Sequence, residues 1–209
     1  LSLHDALPIL SKRENGPSAS MRATLTPPQP WRNGGGITHE LLAWPPGEPG
    51  WLVRVSVARI DADGPFSRFD GIQRWFTVLD GAGVVLKRPD GPVPLTSASD
   101  PLGFDGGEAP DCQLIAGPTR DLNLMAPASA GCARMARVVA AQACKGRHRW
   151  RGLYTAVAAQ LQVGTGLVQA VPAHSLVWSD DDTTTLPWHC HVDMAMPCLP
   201  AWWLTLDAE

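Results

Sequence analysis

Trp31-Arg32-Asn33-Gly34-Gly35-Gly36-Ile37-Thr38-His39-Glu40 places three consecutive glycines directly before an alternating run. Three glycines lose much backbone entropy on folding, so a plain turn rarely needs them all. They permit close approach of the backbone and can aim successive N–H groups at an anion. No Gly-Lys-Ser/Thr comes after them, so this is not a P-loop. Residues 37–43 read as a strand, closed by Pro45-Pro46-Gly47. Residues i and i+2 of a strand share a face. Thr38 and Glu40 therefore lie together, while Ile37, His39 and Leu41 point away.

The same pattern continues outward. Residues 51–60 form a second, Val-rich strand, with Arg54, Ser56 and Ala58 on one face and Val53, Val55 and Val57 on the other. Gly64-Pro65 starts a loop. Residues 75–79 and 84–88 flank Asp80-Gly81-Ala82-Gly83, which reads as a hairpin turn. Pro89-Asp90-Gly91-Pro92 is another turn. Further strands are expected at 112–116 and 122–125, where Asp121, Asn123 and Met125 oppose Leu122 and Leu124. The second half repeats the style at 137–141, 154–163, 167–171, 176–178 and 202–206, although 156–161 equally fits a helical turn. Short strands at about 8–12-residue spacing predict a sandwich or barrel. The polar faces then have two readings. They are the wet side of an antiparallel sheet, or they line a barrel interior and form a small polar pocket.

Composition narrows the function classes. The chain has 209 residues, 44% hydrophobic and 18% charged, with a formal net charge of −3. That length allows one large domain or two small ones. The basic footprint of a nucleic-acid binder is missing. No run of apolar residues is long enough for a membrane span. Gly and Pro, 20 each, are too frequent for a helical bundle. The five cysteines are odd in number and form no CxxC pair, which favours reduced thiols in the cytosol over a disulfide framework. Residues 1–20 differ in texture from the chain beyond Met21 and read as a disordered or artefactual leader, with no signal-peptide core.

Six ordered motifs carry a resemblance. Trp31 to Glu40 resembles the opening W-[KR]-N-G-G-G-x-T-x-E of the HutD/Ves family. Trp51 with Arg54, Ser56 and Ala58 resembles its W-x-x-R-x-S-x-A strand. Asp63-Gly64-Pro65-Phe66-Ser67-Arg68-Phe69-Asp70-Gly71 with Arg74 is similar to its D-G-P-F-S-x-F-x-G-x-x-R loop. Leu79 to Gly83, Phe104-Asp105-Gly106 and Arg120 to Met125 come next in the family's order; beyond about Val139 the likeness is thin. The resemblance implies an all-β bicupin, two small cupin-type (jelly-roll) β-barrels in one chain. The first barrel is expected over 21–135 and the second over 136–209, with exchange of strands between barrels left open. It implies a bacterial cytoplasmic protein associated with histidine utilisation, binding a small carboxylate such as urocanate or N-formylglutamate. The ligand-binding residues expected are Asn33, Gly35, Thr38, Glu40, Arg54, Ser56, Arg74, Asp121 and Asn123.

The residue chemistry supplies roles. Arg54 and Arg74 can grip a carboxylate in a fork, with Arg54 expected as the main anchor. Thr38, Ser56 and Asn123 can orient the rest of a ligand. Glu40 and Asp121 are expected to pair with the two arginines when the pocket is empty, since buried charges demand partners. No cofactor and no metal are expected. The first barrel offers only His39, and His189-Cys190-His191, with Asp193 and Cys198 nearby, reads as loop and lacks the rest of a cupin ligand set. Two other readings stay open: a cupin isomerase or hydrolase using Glu40 or Asp121 as general base, and a structural or partner-binding protein. Neither nucleic acid nor membrane is an expected partner; a homodimer is compatible with the sequence.

Overall fold

The computed structural model describes residues 20–21, 27–193 and 198–207. In chain order the strands are β1 (Ser20–Met21), β2 (Gln29–Pro30), β3 (Gly36–Trp44), β4 (Val53–Ile60), β5 (Gly64–Pro65), β6 (Ile72–Asp80), β7 (Val84–Arg88), β8 (Gly91–Leu95) and β9 (Leu102–Asp105). They continue as β10 (Asp111–Leu114), β11 (Thr119–Pro127), β12 (Cys132–Val139), β13 (Trp150–Thr155), β14 (Ala159–Val163), β15 (Gln169–Val171), β16 (Ser175–Ser179), β17 (Trp188–His191) and β18 (Cys198–Asp207). Helix is confined to two 3₁₀ turns among the described residues, Gly106–Glu108 and Ala128–Ala130. The all-β expectation holds. Residues 1–19 of the expected leader lie outside the described residues.

Two compact units emerge. One comprises 27–133; the other comprises 20–21, 134–193 and 198–207. In the first unit a six-stranded sheet, β2-β3-β4-β11-β6-β9, faces a four-stranded sheet, β5-β10-β7-β8. Ile60, Phe76, Val78, Val84, Leu86, Leu95, Phe104 and Cys112 form the core between them. The antiparallel register sets interior side chains in rows: Arg54, Met125 and Arg74 are cross-strand neighbours, as are Ser56, Asn123 and Phe76. A bulge between Glu40 and Leu42 inserts one residue into β3, so Leu41 and Leu42 are both buried.

The glycine run has separate tasks. Gly34 takes φ +70, and a Cβ on Gly36 would lie 2.3 Å from the Arg59 carbonyl oxygen, so β3 can start only without a side chain there. The Asp80-to-Gly83 segment corrects the sequence reading. It is not a hairpin, because β6 belongs to the six-stranded sheet and β7 to the four-stranded one. Its glycines instead let the chain cross between sheets under close neighbours: a Cβ on Gly81 would meet the Pro118 carbonyl at 2.6 Å, and one on Gly83 the Leu95 carbonyl at 2.3 Å. The real hairpin is β7–β8, closed by Pro89-Asp90 with Arg88 opposite Gly91.

The second unit pairs a five-stranded sheet, β1-β16-β13-β18-β12, with a three-stranded one, β15-β14-β17. Leu153, Leu161, Val171, Val177, Trp188, Leu199 and Trp203 fill the interior. Two sequence readings fail here. The single strand expected over 154–163 is two strands in different sheets, because the Thr155 hydroxyl donates to the Val157 carbonyl and accepts from its N–H, turning the chain. The stretch expected as loop around His189-Cys190-His191 is strand β17, with Trp188 and Cys190 buried inward and the two imidazoles alternating with them.

Candidate functional site

The first unit encloses a cavity of about 550 Å³, within the size range of small-molecule sites. Its polar lining comes from Thr38 on β3, Arg54 and Ser56 on β4, Arg74 on β6 and Asn123 on β11. Strand parity puts these residues on the interior face, as alternation requires. Gln29, Pro30, Trp31, Arg32 and Asn33 form one rim, while Pro65, Phe66, Ser67 and Phe69 form another. The barrel-interior reading of the polar faces is therefore the correct one for these strands.

Most of these side chains are held by a neighbour. The Trp31 indole N–H donates to the Thr38 hydroxyl at 2.8 Å. The Gly35 N–H donates to the Asn33 side-chain oxygen at 3.0 Å, closing an Asx turn at the rim. Arg54 Nε donates to Glu40 Oε2 at 2.7 Å, and Arg54 Nη1 reaches Met125 Sδ at 3.8 Å. Arg74 is 8% exposed. Its Nε and Nη2 both donate to Asn123 Oδ1, at 3.1 and 2.8 Å, and its guanidinium lies 4.2 Å from the centre of the Phe66 ring. Among the described residues no carboxylate lies within ion-pair distance of Arg74.

The sequence-expected residues thus separate. Asn33, Thr38, Arg54, Ser56, Arg74 and Asn123 line the cavity. Glu40 does not line it and acts behind Arg54 as its carboxylate partner, as the pairing argument expects. Gly35 is buried beneath the rim turn. Asp121 departs from expectation: it is fully buried, outside the lining, and accepts from the Thr119 hydroxyl at 2.8 Å rather than from an arginine. It pairs with Ala58 in the register, one interior row below Ser56 and Asn123, where no guanidinium is seated. Its Oδ1 has no partner among the described residues. The sequence reading misses Gln29, Phe66 and Phe69 as lining residues, although Phe66 and Phe69 sit inside one of the six motifs.

The electrostatics reflect burial. Desolvation pushes the Asp121 carboxyl up to about 8; the Thr119 hydroxyl opposes this, Asp80 adds to it and Arg74 opposes it. At neutral pH Asp121 is therefore mostly uncharged. Desolvation also draws Arg74 down to about 10, with the Arg54 charge adding to the effect. Arg74 still carries its proton at pH 7. With Glu40 matched to Arg54, the interior holds one guanidinium in excess. An anion entering the cavity supplies the missing counter-charge in a forked geometry that arginine favours.

A metal has little to bind here. The lining contains no His, Cys, Asp or Glu. Among the described residues no three such side chains converge as a ligand group. His189 and His191 share a face with rings 6.4 Å apart, without a third ligand among the described residues. No helix among the described residues is long and apolar enough to cross a membrane.

Comparison with known proteins adds ancestry. The HutD family profile matches residues 23–196. A 21.2 kDa protein in the hutC 3′ region of Pseudomonas putida is 39% identical over 106 residues, 50% of this chain and 56% of that protein. Protein Ves of Escherichia fergusonii is 34% identical over 96 residues, 46% of this chain and 50% of the relative. The chain therefore spans about half the length of the curated relatives it matches. A structure of HutD from Pseudomonas fluorescens SBW25, in a formate condition, superposes with a TM-score of 0.77 at 26% identity, covering 92% of this chain and 100% of the other. A Bacillus subtilis oxalate decarboxylase, at TM-score 0.60 and 9% identity, shares the fold alone. The two-barrel cupin architecture expected from the sequence is the architecture of these neighbours.

Proposed function

Because the chain belongs to the HutD family, we propose that its first barrel binds a small carboxylate metabolite in the cytoplasm and thereby modulates histidine catabolism. The observation that carries this reading is Arg74: a buried guanidinium inside an open cavity, stacked on Phe66 and hydrogen-bonded, among the described residues, only to a neutral amide oxygen. A ligand carboxylate meets that charge, and Arg54 across the register row supplies a second donor. Phe66, Phe69 and Trp31 offer flat apolar walls, which suit a planar or short-chain acid such as urocanate or N-formylglutamate. The position of the Pseudomonas putida relative beside hutC supports the link to histidine degradation.

A thermal-shift screen of small mono- and dicarboxylates, with urocanate and N-formylglutamate included, tests the reading. A ligand that binds only the folded state stabilises it by RT ln(1 + [L]/Kd), about 2.7 kcal/mol at a hundredfold excess over Kd. For a chain of this size that is a midpoint rise of about 5–10 °C. At least one carboxylate is expected to produce it, and the matching amides are not. A panel in which acids and amides behave alike removes the carboxylate reading.

A further inference from the structure

The second unit contains a cluster that the cavity does not use. Cys144 and His148 lie in the segment between β12 and β13, and Asp207 ends β18. His148 Nδ1 is 2.5 Å from Asp207 Oδ1, and His148 Nε2 is 3.8 Å from Cys144 Sγ. Nε2 is also 3.2 Å from the Lys145 carbonyl oxygen. This is the order nucleophile, base, orienting carboxylate. The Cys144 backbone is fixed by paired hydrogen bonds to Trp188, both 2.9 Å, and Trp188 is itself buried. The thiol therefore sits on an anchored stretch of chain, half-buried, whereas Cys112 and Cys190 are fully enclosed. Around it runs Lys145-Gly146-Arg147-His148-Arg149, with Lys145 and Arg147 exposed.

We infer that Cys144 is a reactive thiol, served by His148 and Asp207, and that it takes anionic low-molecular-weight disulfides as an S-thiolation site. His148 Nε2 accepts the thiol proton. The Cys144 sulfur attacks one sulfur of the disulfide, a new S–S bond forms as the old one breaks, and the leaving thiolate takes the proton back from the imidazolium. Cys144 is oxidised to the mixed disulfide and the departing sulfur is reduced to a thiol. The imidazolium formed in between is held on both sides, by the Asp207 carboxylate at Nδ1 and the Lys145 carbonyl at Nε2. Burial raises the Cys144 thiol, Arg151 draws it down and Asp207 raises it further. The thiol is thus protonated at rest, and its reactivity depends on the neighbouring base. The exposed Lys145 beside the thiol favours disulfides that carry carboxylates.

The test is a time course of native protein with glutathione disulfide at pH 7, quenched with acid and mapped by peptide mass spectrometry. Cys144 is expected to be modified before Cys132, although Cys132 is the exposed one of the two. His148→Gln and Asp207→Asn, checked for an unchanged melting midpoint, are expected to slow modification of Cys144 by about tenfold or more, as loss of a general base does, and to leave Cys132 at its own rate. A neutral disulfide is expected to react several-fold more slowly than glutathione disulfide at low salt. If either variant does not fold, the unchanged protein decides by the order of modification, Cys144 before Cys132. Cys144 left unmodified while Cys132 reacts, or an unchanged Cys144 rate in a folded His148→Gln protein, overturns the proposal.

Discussion

Both units pair a larger antiparallel sheet with a smaller one and fill the space between them differently. In the first, the central interior row is Ser56, Asn123 and Phe76, and the row above it is Arg54, Met125 and Arg74. In the second, the central strands β16, β13 and β18 of the larger sheet place Val177, Leu153 and Trp203 in one interior row. Both units bury an arginine on an aromatic ring, Arg74 on Phe66 and Arg151 on Trp188. Arg151 donates to the Leu186 carbonyl and is consumed by the fold, whereas Arg74 faces open space. A barrel becomes a binding site when short polar side chains in its middle rows leave volume and an unmatched charge. It becomes a core when Leu, Val and Trp take those rows.

The comparison makes its largest prediction in the second unit. Leu153→Ala empties part of a filled interior and is expected to cost about 2–5 kcal/mol in denaturant unfolding. Ser56→Ala, in the central row of the first unit, is expected to cost well under half of that. Equal costs would mean that the first interior is as tightly packed as the second. The next effect is on binding: Arg54→Met removes the second donor and is expected to weaken the best carboxylate from the screen by roughly tenfold, about 1.4 kcal/mol. Calorimetric titration reads this directly, and an unchanged Kd leaves Arg54 as a structural partner of Glu40 only.

A pH series sharpens the contrast further, because Asp121 of the first unit is the one buried carboxylate among the described residues. The folded-state pKa of Asp121 is raised from 3.8 to about 8, so the native state holds this proton more tightly than the unfolded chain does. Its contribution to stability is fully present below about pH 4 and is lost as pH rises through about 8. Asp121→Asn is expected to remove that decline. Melting midpoints of the two proteins should therefore converge near pH 4 and separate increasingly up to about pH 8, the variant being the more stable. Parallel curves would show that Asp121 ionises normally. The smallest expected effect is that of Glu40→Gln, whose partly exposed pair with Arg54 is worth less than about 1 kcal/mol of stability.

Much of the first unit is legible in the sequence because its long strands alternate. β3, β4 and β11 carry polar residues at i and i+2, and Thr38, Arg54, Ser56 and Asn123 among them reach the cavity. Parity assigns a face but not a depth. Asp121 shares a face with Asn123, so parity alone puts it in the pocket, although it sits in the row beneath. Gln29 and Phe66 give no such signal, because their neighbouring strands, β2 and β5, are two residues long and have no period to read. In the second unit, buried residues occupy both parities of β13 and β16, so alternation disappears and the break at Thr155 cannot be seen. The glycines at 81 and 83 mislead for a related reason: close packing against distant carbonyls and a tight hairpin place the same demand on the residue.

The central claim rests on Arg74, and calorimetric titration of the best carboxylate into the parent protein and Arg74→Met tests it most directly. Met keeps much of the stem's bulk and removes the charge. Loss of a hydrogen-bonded ionic contact costs about 1.5–3 kcal/mol, so the account predicts an affinity drop of about ten- to a hundredfold in a protein that still folds. Undiminished carboxylate binding by folded Arg74→Met protein would contradict it.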